Sequence, residues 1–356
     1  MSNSAVDGAR AIRSGEELDL NGLRRYFDEH VPSLKGEISL AQFPSGHSNL
    51  TYLMTVGDRD VVLRRPPFGT KVKSAHDMGR EFKVLTALAA TKGMAPQPIA
   101  YTEDESYIGS KFYVMERIRG VILRKHVPEG IDLNPAAMTR LCEAFVDRLV
   151  DLHRLDYQAI GLGDLGKPEG YVQRQVEGWT KRYEGSQTDD LPVVNQVAKW
   201  LADNQPKESG VALIHNDYKL DNLLLDPNDP TRIIGLLDWE MSTIGDPLMD
   251  LGTAISYWVE ADDNPVLQVF AAGPTGHPGA FTRKQIVERY ADKSGRSVDN
   301  AVFYYAFGLF KTAVVIQQIY YRYKQGLTQD PRFAGFIHAV DGLTQVASTA
   351  IDTNNY

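Results

Sequence analysis

Apolar and polar positions are spaced differently in the two parts of the chain. In the first 120 residues the apolar positions form brief β-type runs at 40–43, 50–56 and 60–64. Pro44-Ser45-Gly46 and Gly57-Asp58-Arg59-Asp60 separate them. Short apolar runs divided by turn formers predict a three-strand meander. Phe82, Leu85, Leu88 and Ala89 then recur at helical spacing over 78–91, with Glu81 and Lys83 between them and Gly93 and Pro96 as a stop. Two further strands are predicted at 97–103 and 111–118.

From Pro135 the period is helical. Leu141, Phe145, Leu149 and Leu152 share one face, and amphipathic segments follow at 171–183 and 193–204. Apolar runs at 223–225 and 233–237 flank Asp226-Pro227-Asn228-Asp229-Pro230, which predicts a hairpin. Helices are predicted near 248–258, 282–292, 298–322 and 331–352, the last with Asp330 as its cap and Pro331 at its first position. The layout predicts an α+β, bilobal protein. Residues 1–118 would form a small antiparallel lobe with one main helix, and 119–356 a larger helical lobe carrying the hairpin.

Composition narrows the classes. With 43% hydrophobic and 24% charged residues, the 356-residue chain reads as an ordinary globular protein able to bury a core. Its net charge of -8, with no basic block, argues against nucleic acid or an anionic membrane surface as partners. A lone cysteine, Cys142, excludes a disulfide framework and cysteine-based metal sites. The first 25 residues mix acidic and basic side chains without a long apolar run, so neither a signal nor a transit peptide is expected, and a cytoplasmic location is. The most apolar stretch, 301–321, contains Lys311, Gln317 and Gln318 and reads as a buried helix rather than a membrane span. The histidines show no zinc spacing.

Gly161-Leu162-Gly163-Asp164-Leu165-Gly166-Lys167 satisfies both a dinucleotide pattern and most of a P-loop pattern. Both require a strand immediately before the loop. A helix precedes it here, and Pro168 stands where a P-loop needs Ser or Thr, so the segment reads as a connection between helices.

Chemistry concentrates in His215-Asn216-Asp217-Tyr218-Lys219-Leu220-Asp221-Asn222 and in Asp238, just beyond the hairpin. Phosphoryl transfer explains these residue types, because its loose transition state calls for alignment of the acceptor and neutralisation of phosphate charge. Asn222 and Asp238 offer the amide and carboxylate oxygens that Mg²⁺ accepts beside phosphates. Asp217 can take a hydrogen bond from an acceptor hydroxyl, aligning it first and receiving its proton late, since an ordinary Asp pKa of about 3.9 makes it a feeble base. Lys219 can reach a transferring γ-phosphate. Any one of these residues alone would more often be a turn former or cap. Asp217, Asn222 and Asp238, however, together bracket one hairpin within apolar runs.

Upstream the order of parts repeats that of a kinase-like nucleotide site. Ser45, Gly46, Ser48 and Asn49 form a candidate turn over the phosphates. Arg64 occupies the usual lysine position of the third strand, and Glu81 opens the next helix. The run from Phe112 to Gly120 supplies a strand and hinge for adenine.

From about Gln42 to Tyr323 the chain resembles the aminoglycoside phosphotransferase and choline kinase branch of the protein-kinase-like fold. Val61-Val62-Leu63-Arg64-Arg65-Pro66-Pro67, His215 to Asn222 and Gly245-Asp246-Pro247-Leu248-Met249-Asp250-Leu251-Gly252 are most similar to the kinase-like domain that some proteins carry fused to an acyl-CoA dehydrogenase. No dehydrogenase portion is read within these residues. The resemblance implies an ATP- and Mg²⁺-dependent kinase acting on a small-molecule hydroxyl, with Asp217 as the catalytic aspartate and Asn222 and Asp238 as metal ligands. Adenine would meet the Glu116 carbonyl and the Ile118 amide behind Met115. His215 is expected to be structural. Asp250 would either brace the catalytic loop or cap a helix, and His153 is expected to be buried and hydrogen-bonded.

Arg64 and Trp239-Glu240 depart from the protein-kinase pattern, and markers of an activation segment are lacking. A catalytically silent nucleotide- or partner-binding protein is the rival reading. For the acceptor, Trp179, Arg182 and Tyr183 are candidates, as is the late helix bearing Tyr304, Tyr305, Lys311, Gln317 and Gln318, although a core helix accounts for most of those positions. Lys181 and Arg182 favour an acceptor with anionic and apolar parts, such as a hydroxylated acyl thioester or acid, over an aminoglycoside or amino alcohol.

Overall fold

The computed structural model describes residues 6–44, 49–68, 77–91 and 93–356. In chain order the elements begin α1 (Leu20–His30), β1 (Ile38–Gln42), β2 (Leu50–Val56), β3 (Arg59–Arg65), α2 (Met78–Leu88), β4 (Pro98–Thr102), β5 (Phe112–Glu116) and α3 (Pro135–Arg154). Next come α4 (Tyr171–Glu184), α5 (Pro192–Asp203), β6 (Ala212–Ile214), β7 (Leu223–Asp226), β8 (Asp229–Leu236) and β9 (Thr243–Gly245). Helices α6 (Pro247–Ser256), α7 (Pro265–Val269), α8 (Arg283–Ser294), α9 (Ala301–Lys324) and α10 (Phe336–Thr353) complete the chain. The fold is α+β and protein-kinase-like, with a small antiparallel sheet and many helices.

Two compact units divide the chain. The first comprises Met1–Ile122, Pro128–Ile131 and Asn222–Met241, and the second Leu123–Val127, Asp132–Asp221 and Ser242–Tyr356. The hairpin β7-β8 therefore groups with the sheet, unlike a single cut after residue 118. Its attachment is backbone hydrogen bonding: Val121 and Leu225 exchange N–H···O bonds of 2.9 Å, and the Leu236 N–H donates to the Met94 carbonyl at 3.3 Å.

In the first unit the sheet order is β1-β2-β3-β5-β4, with every neighbouring pair antiparallel. Strand β2 alternates buried and half-buried positions, as a one-sided strand must. Tyr52, Met54 and Val56 pack with Leu23, Tyr26 and Phe27 of α1 in one core. Helix α1 is absent from the spacing-based expectation, which allowed this lobe one helix. Arg24, Arg25, Asp28 and Glu29 crowd its apolar stripe, and Asp19 caps it by accepting from the Asn21 and Gly22 N–H groups.

In the second unit α9 lies buried against α6 and α10. By length and composition it could cross a membrane, yet most of its apolar window is covered by protein. The polar ends of its buried Lys311 and Gln317 are met internally, at the Asn216 and Ser186 carbonyls, each at 2.7 Å. Its approach to α6 needs glycine, because a Cβ on Gly252 would fall 2.3 Å from the Tyr304 carbonyl oxygen. Asp330 caps a 3₁₀ turn, Pro331–Gly335, and α10 starts only after it. The ladder β6-β9 pairs segments of three residues each, too short for a periodic signal.

Candidate functional site

The first unit gathers the residues expected to hold nucleotide and metal. Arg64 pairs with Tyr113 across β3 and β5. Its Nη1 donates to Glu81 of α2 and its Nη2 to Asp238 Oδ1 at 2.9 Å. A lysine carries one terminal nitrogen, whereas the guanidinium fork serves two carboxylates at once. Burial works against the Arg64 charge, but Glu81, Tyr113, Asp238 and Glu240 outweigh it and hold the group ionised. Burial pushes the Glu81 carboxyl up, with Arg64 pulling the other way.

Asp238 sits in the left-handed backbone region, with φ 67°. Such a conformation in a non-glycine residue costs about 1–3 kcal/mol and persists only where its surroundings enforce it. Two of those surroundings are the Arg64 bond and the 2.8 Å bond from the Leu237 N–H to the Asn222 carbonyl, which joins the hairpin's ends. The Asp238 side chain is one-third exposed, at 34%, so it remains accessible to a ligand. Asp238 and Asn222 are oxygen donors of the kind Mg²⁺ takes. Among the described residues no cluster of three or more His, Cys, Asp or Glu converges. One amide and one carboxylate suit a cation that takes its remaining ligands from phosphates and water.

Asn49, expected to face phosphates, gives its side-chain amide to Glu240 Oε2 at 2.7 Å. Ser45, Gly46 and Ser48 lie outside the described residues. Met115 is buried beside Val62, and Glu116 ends β5 exposed, with its N–H donating to the Gln97 carbonyl at 2.8 Å. Ile118 packs on the hairpin so closely that a Cβ on Gly235 would fall 2.9 Å from its Cδ1.

If Arg64 meets a nucleotide's phosphates as the resemblance implies, Arg64→Lys, which keeps one carboxylate paired and releases the other, should raise KM for Mg-ATP about tenfold, the equivalent of one charge-assisted hydrogen bond. Steady-state kinetics at saturating acceptor would check this, and an unchanged KM would show that the fork is dispensable.

The second unit carries the loop that follows β6. The His215 and Asn216 N–H groups donate to Asp250 Oδ2 and Oδ1, each at 2.7 Å. His153 Nε2 meets Asp250 Oδ2 at 3.2 Å, and His153 Nδ1 meets the Tyr290 hydroxyl at 2.8 Å. Asp250 therefore braces the loop, while Asp246 caps α6 by accepting from the Leu248 N–H. Burial alone would raise the Asp250 carboxyl, but His153 and His215 outweigh it and hold it below its ordinary value.

Asn216 is left-handed, with φ 64°. Besides Asp250, it is held by Lys311 Nζ at its carbonyl and by the Tyr171 hydroxyl at its side-chain amide, 3.1 Å away. Next in the chain, the Asp217 N–H donates to His215 Nδ1 at 3.3 Å, so the fully buried imidazole serves the backbone. Tyr218 anchors the loop on α3 by donating to the Phe145 carbonyl at 2.7 Å.

Around Asp217 the side chains converge. Lys219 Nζ is 3.2 Å from Asp217 Oδ2 and 3.8 Å from Asp221 Oδ1, and it lies 5.0 Å from the centre of the Tyr257 ring. Burial would lower the Lys219 pKa, but Asp217, Tyr257 and Asp221 raise it above its ordinary value. Burial and the nearby Asp217 both push the Tyr257 hydroxyl up. The Asp217 and Lys219 side chains keep 20% and 21% exposure, enough for a ligand to touch them.

On α4, the Arg182 guanidinium lies 4.7 Å from the centre of the Trp179 ring, and Lys311 Nζ from α9 lies 5.9 Å from the same ring. Tyr183 is buried. Glu240 and Tyr257 were not singled out from the sequence. The D-x-E spacing of Asp238 and Glu240 is a signal for the first, but no pattern marks Tyr257.

Comparison with known proteins gives these groups a class. The profile of the phosphotransferase enzyme family matches residues 39–283, and the chain belongs to that family. It is 33% identical over 319 residues to acyl-CoA dehydrogenase family member 10 of Mus musculus, covering 89% of this chain and 30% of that relative. The chain thus spans less than a third of that protein's length. Among solved structures, a Ralstonia eutropha protein provisionally named an aminoglycoside phosphotransferase is 31% identical, with a TM-score of 0.79 over 93% of this chain and 97% of that one. A choline kinase from Cryptosporidium parvum shares the fold at 14% identity, with a TM-score of 0.60 over 92% and 93% of the two chains.

Proposed function

We propose that the chain is an ATP- and Mg²⁺-dependent kinase that moves the γ-phosphate to a hydroxyl of a small molecule. The observation that carries this reading is the convergence of Asp217, Lys219 and Tyr257 on a loop braced by Asp250, in a chain of the phosphotransferase family. Asp217 accepts the hydrogen bond of the incoming hydroxyl and fixes its direction. Lys219, held charged beside it, offsets the negative charge of the transferring group. Arg64 is the cation for the nucleotide's phosphates, and Asn222 and Asp238 are the residues that would hold Mg²⁺. When bound, the metal neutralises phosphate charge.

Arg64 keeps its ion pair with Glu81, which weakens the main argument for a catalytically silent protein. For the acceptor we favour a hydroxylated acyl thioester or acid. Likeness to a relative named for acyl-CoA dehydrogenases supports this, as does the basic and aromatic character of α4.

Incubating the purified chain with Mg-ATP and a panel of hydroxy acids, hydroxyacyl thioesters, amino alcohols and aminoglycosides should yield ADP and a phosphomonoester with one class. No turnover with any class, together with no metal-dependent ATP binding, would overturn the reading.

A further inference from the structure

We infer that Lys311, Arg182 and Trp179 form an anion-binding subsite, so that the acceptor carries a carboxylate or phosphate in addition to its hydroxyl. The inference rests on the kinase reading above.

Lys311 is 6% exposed, midway along α9. Among the described residues its one hydrogen bond goes to the Asn216 carbonyl, a neutral acceptor, although an ammonium has three N–H donors. Among the described residues no carboxylate lies within ion-pair reach of Lys311 or of Arg182. The two cations nevertheless share one indole ring, at 5.9 and 4.7 Å. Stacking on an indole face offsets part of the cost of a cation, but it does nothing for the repulsion between two.

The nearby acids are committed elsewhere. Asp250 accepts from His215, Asn216 and His153, and Asp217 is paired with Lys219. Burial pushes the Lys311 ammonium below its ordinary pKa. Asp217 and Asp250 oppose that shift, while Lys219 and Arg182 add to it. A bound anion would supply the charge this cluster lacks. Its place also suits the reaction, because Lys311 holds the carbonyl of the residue preceding Asp217. A molecule whose anion meets Lys311 and Arg182 can therefore present its hydroxyl to Asp217, with its apolar part against Trp179. Cationic acceptors would meet repulsion there.

The test compares three aliphatic probes of matched length with Mg-ATP: a hydroxy acid, its methyl ester and the corresponding amino alcohol. A sugar-alcohol phosphate serves as the phosphate arm. Each is measured by turnover and, independently, by calorimetric binding in the presence of Mg²⁺ and a non-hydrolysable ATP analogue. Wild type should prefer an anionic probe over the ester by about tenfold or more, and Arg182→Gln should remove most of that preference with KM for Mg-ATP unchanged. Lys311→Met should do the same, and Lys311→Gln, which retains an N–H for Asn216, separates loss of charge from loss of loop support.

Whichever of the carboxylate and phosphate arms binds better identifies the anion. Anion binding that is lost in Arg182→Gln, without turnover of any probe, would uphold the subsite and sink the kinase reading. Turnover of the ester or amino alcohol at least as fast as of the anions, or a preference untouched by Arg182→Gln, would overturn the subsite and leave the kinase standing.

Discussion

Replacing Asp217 with Asn is expected to lower kcat by roughly 1,000-fold while changing the Kd for Mg-ATP by less than about threefold. The amide has nearly the same shape, so the loop's backbone bonds to Asp250 survive. It loses the negative charge that pairs with Lys219 and replaces one of the two acceptor oxygens with an N–H donor, which cannot receive the proton of an incoming hydroxyl. Rapid-quench turnover and calorimetric nucleotide binding, measured on the same preparation, separate the two effects. Activity within tenfold of wild type would remove Asp217 from its assigned role.

Replacing Asp250 with Ala should cost stability as well as rate. Asp250 is fully buried, and its carboxylate accepts from two loop N–H groups and from His153. Removing it leaves those buried donors unpaired, for a loss of about 3–5 kcal/mol in unfolding free energy. Asp250→Asn keeps one acceptor oxygen and should lose less. Urea denaturation reads both variants.

The same carboxylate predicts a pH dependence. Its folded pKa is depressed, so its contribution is fully present above the unfolded value of about 3.9 and is lost as pH falls through the lower folded value. Wild type should therefore lose stability on acidification below about pH 4 more steeply than Asp250→Ala, in which that proton linkage is gone. Parallel acid limbs in the two proteins would contradict this.

The chemistry was legible where residues that act together lie close in sequence. His215, Asp217 and Asn222 fall within one loop, and the hairpin that follows delivers Asp238, so spacing alone brought them out. Arg64 and Glu81 were legible from the order of strand and helix, and the structure places them in one ion pair. What escaped depends on packing between distant segments. Asn49 and Glu240 are 191 positions apart, and no local pattern announces the bond between them.

Tyr257 and Lys311 reach the catalytic loop from α6's end and from α9, elements whose apolar patterns announce only a core. Helix α1 escaped for the opposite reason, since its narrow apolar stripe is nearly hidden among charges and gains meaning only against the sheet. Lys311 was visible as a polar residue in an apolar helix, but its neighbours Trp179 and Arg182 on α4 are set by the fold.

The central claim is that an acceptor hydroxyl attacks the γ-phosphate. With ATP, Mg²⁺ and an acceptor whose hydroxyl carries ¹⁸O, the product examined by ³¹P NMR should be a phosphomonoester showing the isotope shift of a bridging ¹⁸O, formed in step with ADP. Release of ADP with free inorganic phosphate alone, or a product lacking bridging ¹⁸O, would contradict it.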